Sequence, residues 1–133
     1  MDGKFLPLAG MNFTTHDWGR VGNLCVPANT GAKQLTILEA RLLPGKGHDF
    51  HKHPDQEEAL YVVQGEVEQW VDRKKQMLKP GDAVFVPAGM VHASFNVGQG
   101  EARILAIFGP SIGEAGFEAV DMTQEAPWKG LRG

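Results

Sequence analysis

Apolar and polar residues exchange over short distances along this chain. Alternating or β-branched segments recur between Gly, Pro, Asn and Asp punctuation. The pattern predicts about nine strands: Arg20–Val26, Gln34–Leu43, Asp49–His53, Ala59–Val63, Glu66–Val71, Met77–Leu78, Ala83–Val86, Val91–Val97 and Ala102–Phe108. Turns are predicted at Pro44-Gly45, Asp72–Lys75, Pro80-Gly81 and Gly98-Gln99-Gly100. No window of about 11 to 18 residues carries an apolar repeat of about 3.6. Helix content is therefore expected to be low, with at most a turn near Gly113–Gly116. Short strands at this spacing predict an all-β sandwich, jelly roll or barrel.

Length and composition narrow the picture. A chain of 133 residues and 14.5 kDa fits one domain, read here as residues 1–133 with a core barrel over about 34–108 and an arm at each end. The 17 glycines are nearly twice the usual share, as many short elements and tight turns require. Residues 1–19 and 110–133 are weakly periodic, yet Phe13, Trp18, Phe117 and Trp128 are too apolar for free tails. Both arms are expected to pack across the barrel or against a second subunit.

A net charge of −3, a pI of about 5.9 and no basic run longer than Arg73-Lys74-Lys75 argue against nucleic acid as a partner. The single Cys25 excludes an internal disulfide, and the first residues lack the apolar stretch of a secretory signal. A cytoplasmic location is the expectation. Apolar runs such as Ala59–Val63 are far short of the ~20 residues of a membrane helix, so no membrane partner is expected.

The chemistry-bearing residues cluster. His51 and His53 stand two apart on a segment read as extended, which puts both imidazoles on one face. Glu58, beside Glu57, follows the Pro54-Asp55-Gln56 turn, where an adjacent strand can bring a carboxylate to the pair. His92 follows Pro87-Ala88-Gly89, a rigid residue and a permissive one that together can aim the next strand inward. Three imidazoles and a carboxylate suit one divalent transition metal ion: Fe, Mn, Ni, Co, Cu or Zn. Ca and Mg prefer more oxygen ligands.

These residues also carry a family resemblance. Gly45-x5-His51-x-His53-x4-Glu58-x6-Gly65 resembles the first motif of the cupin superfamily, and Gly81-x5-Pro87-x-Gly89-x2-His92-x3-Asn96 resembles the second. The resemblance implies a double-stranded β-helix, a jelly-roll barrel, with His51, His53, Glu58 and His92 facing inward around one metal. It also implies that Asn96 is structural. Glu58 is preferred to Glu57 because the six-residue interval to Gly65 selects it and because the two lie on opposite strand faces.

Several residues are set aside. His16 and His48 occur at no ligand position of the family and read as surface or strand-end residues. Cys25 reads as a small, buried apolar residue rather than a nucleophile. Period two puts Ser94 and Asn96 on the side of His92, and Val91, Ala93 and Phe95 on the other. Trp70 shares a face with Glu66 and Glu68, which favours the exposed side. Gln69 then points inward as a candidate for contact with substrate or with the metal-binding residues. Apolar residues, including Leu60, Ile104, Ala106, Phe108 and one face of Gln34–Leu43, are expected to line a small pocket.

The expected function is that of a metal-dependent oxidoreductase. The first choice is a dioxygenase on a small enolisable or phenolic substrate, similar to flavonol- or diketone-cleaving cupins, with Glu58 also acting as the base. The alternatives are a non-catalytic cupin that binds a small ligand, and a cupin isomerase or lyase. A homodimer is expected from the resemblance and from the aromatic ends.

Overall fold

Residues 2–111 and 119–133 are described by a computed structural model. Among them the punctuated pattern resolves into eleven strands: β1 (Phe13–His16), β2 (Gly19–Cys25), β3 (Thr36–Leu42), β4 (Gly47–Lys52), β5 (Glu57–Gln64), β6 (Val67–Val71), β7 (Lys74–Leu78), β8 (Ala83–Val86), β9 (His92–Asn96), β10 (Ala102–Gly109) and β11 (Val120–Asp121). They form two antiparallel sheets, ordered β1-β2-β3-β10-β5-β8 and β11-β4-β9-β6-β7. This is the expected all-β jelly roll.

Alternation along the strands builds the core between the sheets. On β10, Ala102, Ile104, Ala106 and Phe108 are buried while the intervening residues are half-buried. They pack with Leu38 and Leu42 of β3, Leu60 and Val62 of β5, and Val67 and Leu78 from the opposite sheet. Each fully buried Leu or Ile here contributes about 1.5–3 kcal/mol of transfer free energy.

A second apolar cluster lies on the outer face of the five-stranded sheet. Phe50, Trp70, Val91, Ala93 and Phe95 are covered by Met122, Trp128 and Leu131 of the C-terminal arm. The arm is held along its length: β11 pairs with β4, the Trp128 indole donates to the Asp72 carbonyl at 3.2 Å, and Arg132 pairs with Glu68. The Arg132 guanidinium also lies 3.8 Å from the centre of the Phe95 ring.

The motif glycines act as turn residues. Gly45, Gly65, Gly81 and Gly89 all have φ between 75° and 96°, a left-handed region that other residues avoid. At Gly65 space is limiting as well, since a Cβ would lie 2.9 Å from the Ala102 Cα. Asn96 ties the chain at this end: its amide donates to the carbonyls of Leu42 and Gly100 at 2.8 Å, and its oxygen accepts from Gly98 N–H at 2.9 Å.

Some expectations are corrected. Among the described residues the strands number eleven rather than nine, with β1 and β11 added in the two arms. Two short helical turns lie outside the expected place: a 3-10 turn at Leu8–Gly10 and α1 (Pro27–Thr30), where Pro27 opens the turn, the Asn29 side chain accepts from Val26 N–H, and Gly31 at φ 74° closes it. The Asp72–Lys75 turn shrinks to Asp72-Arg73, with Lys74 already paired to Val71. Trp70 does lie on the outer face, but the arm leaves it only 7% exposed. The turn expected near Gly113–Gly116, and Phe117, lie outside the described residues.

Candidate metal centre

Two sheets bring the site together. His51 is at the end of β4, His53 follows it, and His92 opens β9 directly opposite His51. Glu58 comes from β5 in the other sheet. All four are buried, at 3–6% exposure for His51, His53 and Glu58 and 1% for His92, whereas Glu57 is exposed. One donor nitrogen from each of His51, His53 and His92 lies within 4.8 Å of the others.

Backbone contacts set the rings. The Nδ1 of His51 lies 2.7 Å from the Asp49 carbonyl, and that of His92 lies 3.0 Å from the Met90 carbonyl. A carbonyl can only accept, so each Nδ1 carries the proton and each Nε2 presents a lone pair to the interior. The ring of His53 meets the edge of Phe108 at 5.1 Å, and its carbonyl accepts from Gly89 N–H at 2.9 Å.

This arrangement is poorly satisfied by protein alone. Glu58 Oε1 lies 2.8 Å from His92 Nε2 and 3.6 Å from His53 Nε2, and neither Glu58 Oε1 nor His92 Nε2 has a hydrogen-bond partner among the described residues. With Nδ1 protonated, that close pair sets two acceptors against each other. A proton could relieve one contact, but a single divalent cation would satisfy the whole group. The residues therefore fit a metal, held by His51, His53 and His92 with Glu58 beside them.

Neighbouring groups reinforce this. Burial, and then the nearby imidazoles, hold His51 well below its ordinary 6.5 and bring His48 down to about 4. Both rings are thus neutral at neutral pH, which metal binding at His51 requires.

The site is the inner end of a cavity of about 230 Å³. One wall is apolar, with Leu38, Ala40 and Leu42 settling which face of β3 points inward, joined by Leu60, Ile104 and Ala106. Ser94 also lines it, and its hydroxyl donates to Gln69 Oε1 at 2.6 Å; Gln69 thus sits one layer back and is buried. Cys25 is half-buried and contacts Thr30.

His16 and His48, which sequence reasoning set aside, both line the cavity. A β-bulge explains His48. The register between β4 and β9 shifts between His48 and His51, so residues three apart, which period two would place on opposite faces, share the inner one. The His48 ring stacks on His51 at 3.6 Å. A histidine three positions before a ligand is a visible signal, but only a bulge makes it meaningful.

A two-sheet jelly roll with three inward imidazoles defines a class of metal-binding β-barrel. The Cupin_2 family, described as cupin domain, matches residues 38–108, and the chain belongs to that family. It is 32% identical over 109 residues to polyketide synthase CurC of Streptomyces cyaneus, covering 82% of this chain and 70% of that protein. To quercetin 2,3-dioxygenase of Bacillus subtilis it is 29% identical over 80 residues, covering 60% of this chain and 22% of the other. A solved RmlC-like cupin from Shewanella frigidimarina superposes with a TM-score of 0.72 at 20% identity, over 86% of this chain and 96% of that one; this likeness concerns the fold.

Proposed function

We propose that this cupin is a metal-dependent dioxygenase acting on a small enolisable or phenolic compound. The observation that carries the reading is the convergence of three imidazole nitrogens and one carboxylate oxygen at the inner end of an otherwise largely apolar cavity. A bound divalent metal supplies Lewis acidity to chelated oxygens and, when redox-active, electrons to O2. Everything else falls to the chain. Leu38, Leu60 and Ile104 exclude water and hold the carbon skeleton, while the carbonyls of Asp49 and Met90 keep two imidazoles aimed inward. Glu58 takes the enol or phenol proton, being the acidic member of the group and able to accept a proton and return it.

Two relatives support the substrate class. One is named for polyketide synthesis and the other for quercetin, and both kinds of compound carry neighbouring carbonyl and enol or phenol oxygens suited to chelation. Size narrows it further. A cavity of about 230 Å³ is below the ~300–1,000 Å³ of pockets for drug-sized ligands, which favours one or two rings or an open diketone.

Oxygen consumption by Fe-, Mn- and Ni-loaded protein with a panel of 1,3-diketones and ortho-hydroxyaryl ketones tests the reaction. Uptake dependent on metal and substrate is expected; no uptake with any metal would contradict it. The similarity to a polyketide synthase protein favours one second reading, non-oxidative enolate chemistry such as isomerisation or elimination, which would show as deuterium exchange without O2 uptake. A homodimer belongs to the same proposal, supported by the side-by-side exposure of Tyr61, Val63 and Phe85 on the six-stranded sheet. Light scattering should give twice 14.5 kDa, and a single-chain mass would contradict it.

A further inference from the structure

Four rings stack in a column along one side of the cavity, from the metal ligand His51 out to the exposed His16. His51 and His48 are 3.6 Å apart at 12°, His48 and Trp18 are 5.2 Å apart at 13°, and Trp18 and His16 are 4.8 Å apart at 2°. The column joins the two sheets, since His48 and His51 come from β4 while His16 ends β1 and Trp18 lies in the β1–β2 turn. All four residues line the cavity.

Both faces of the His48 ring are occupied, by His51 and by Trp18. What it presents to the cavity is therefore its edge, where the nitrogens are. Neither nitrogen makes a hydrogen bond with the described residues. A purely packing role would be served equally by a phenyl ring, which stacks without bringing unpaired nitrogens into a half-buried position. In either protonation state an imidazole carries at least one N–H donor. The wall formed by Leu38, Leu60 and Ile104 offers no polar side-chain group.

Building on the proposed metal-chelating function, we propose that His48 is a second polar subsite, hydrogen-bonding an oxygen of the substrate beyond the chelated pair. The preferred substrate class is accordingly a planar phenol or enol with at least one further hydroxyl or carbonyl, rather than a simple chelator. His48 acts here as a specificity-determining residue. Trp18 backs its outer face and holds its edge toward the ligand.

Calorimetric binding to metal-loaded protein tests this with 2′-hydroxyacetophenone and its 4′- and 5′-hydroxy derivatives. The parent compound reports chelation, and the derivatives report the subsite. Wild type should bind at least one derivative about ten-fold more tightly than the parent. His48→Phe, which keeps the stack, should retain its metal by elemental analysis and bind the parent unchanged while losing that preference. His48→Asn, which restores an N–H donor, should recover part of it. Equal affinity for parent and derivatives in wild type, or a preference surviving in His48→Phe, would overturn the subsite alone. Failure of every compound to bind would overturn the chelation reading and this inference with it.

Discussion

The two sheets bury opposite kinds of surface. At the site end, the inner face of the five-stranded sheet is polar, with His51, Gln69, His92 and Ser94 all buried. Its outer face is apolar and sealed by the C-terminal arm. The six-stranded sheet does the reverse: Leu38, Leu42, Leu60 and Ile104 fill its inner face around Glu58 and Thr36, while its outer face is open at Tyr61, Val63 and Phe85. A sheet that gives its inner face to ligands must find apolar burial elsewhere. The arm supplies it, so the arm belongs to the site's support although it lies on the other side of the sheet.

The contrast can be broken at several points. The largest effect is expected on the polar inner face, where His92→Ala should weaken metal affinity by more than about 100-fold, read by calorimetry with the apo protein. On the apolar inner face, Leu42→Ala should cost about 3 kcal/mol in chemical denaturation, since Leu42 is 1% exposed and leaves a cavity. Trp128→Ala should cost about 2 kcal/mol by the same measurement and expose Trp70 to fluorescence quenchers, because it removes both cover and the bond to Asp72. On the open face, Phe85→Ala should change unfolding free energy of the monomer by no more than about 0.5 kcal/mol, since Phe85 is 57% exposed. A Trp128→Ala protein as stable as wild type would remove the arm from the account.

Acid should separate the sheets. In the metal-free protein His48 and His51 have pKa values depressed by burial and by neighbouring imidazoles, so the unfolded chain binds more protons than the folded one below 6.5. The contribution of each is fully present above 6.5 and declines as pH falls below it, that of His48 being lost as pH falls through about 4. Glu39, on the outer face of the six-stranded sheet, adds a pH dependence only below about 4.5. Burial alone would raise its pKa, but hydrogen bonds from Arg103 and Arg41, both at 2.8 Å, outweigh this and lower it from 4.5. Its contribution holds above 4.5 and is lost only as pH drops through the lowered value. Thermal melts should therefore show His48→Phe flattening the slope between pH 6.5 and 4, and Glu39→Gln changing the slope only below 4.5.

Local rules made much of this legible. Period two put His51 and His53 on one face and divided His92, Ser94 and Asn96 from Ala93 and Phe95, while Gly and Pro punctuation placed turns at Gly45 and Gly81. The rest depended on distant parts of the chain. Trp70 looked exposed because the residues that cover it are some sixty positions away in sequence. His48 looked irrelevant because it is at no ligand position of the family and reads as a strand-end residue, and only the bulge before His51 brings it to the inner face. The choice between the two faces of Gln34–Leu43 needed the barrel closed: neither set was plainly the apolar one until Leu38, Ala40 and Leu42 met β10.

The central claim is that the buried imidazoles hold a transition metal. Elemental analysis of the purified wild-type protein tests it most directly, paired with a thermal melt before and after chelation. The account predicts about one Fe, Mn, Ni, Co, Cu or Zn ion per chain and a melting temperature that falls when it is stripped. A protein that takes up no such ion even when each is supplied, and melts identically with chelator, would contradict it.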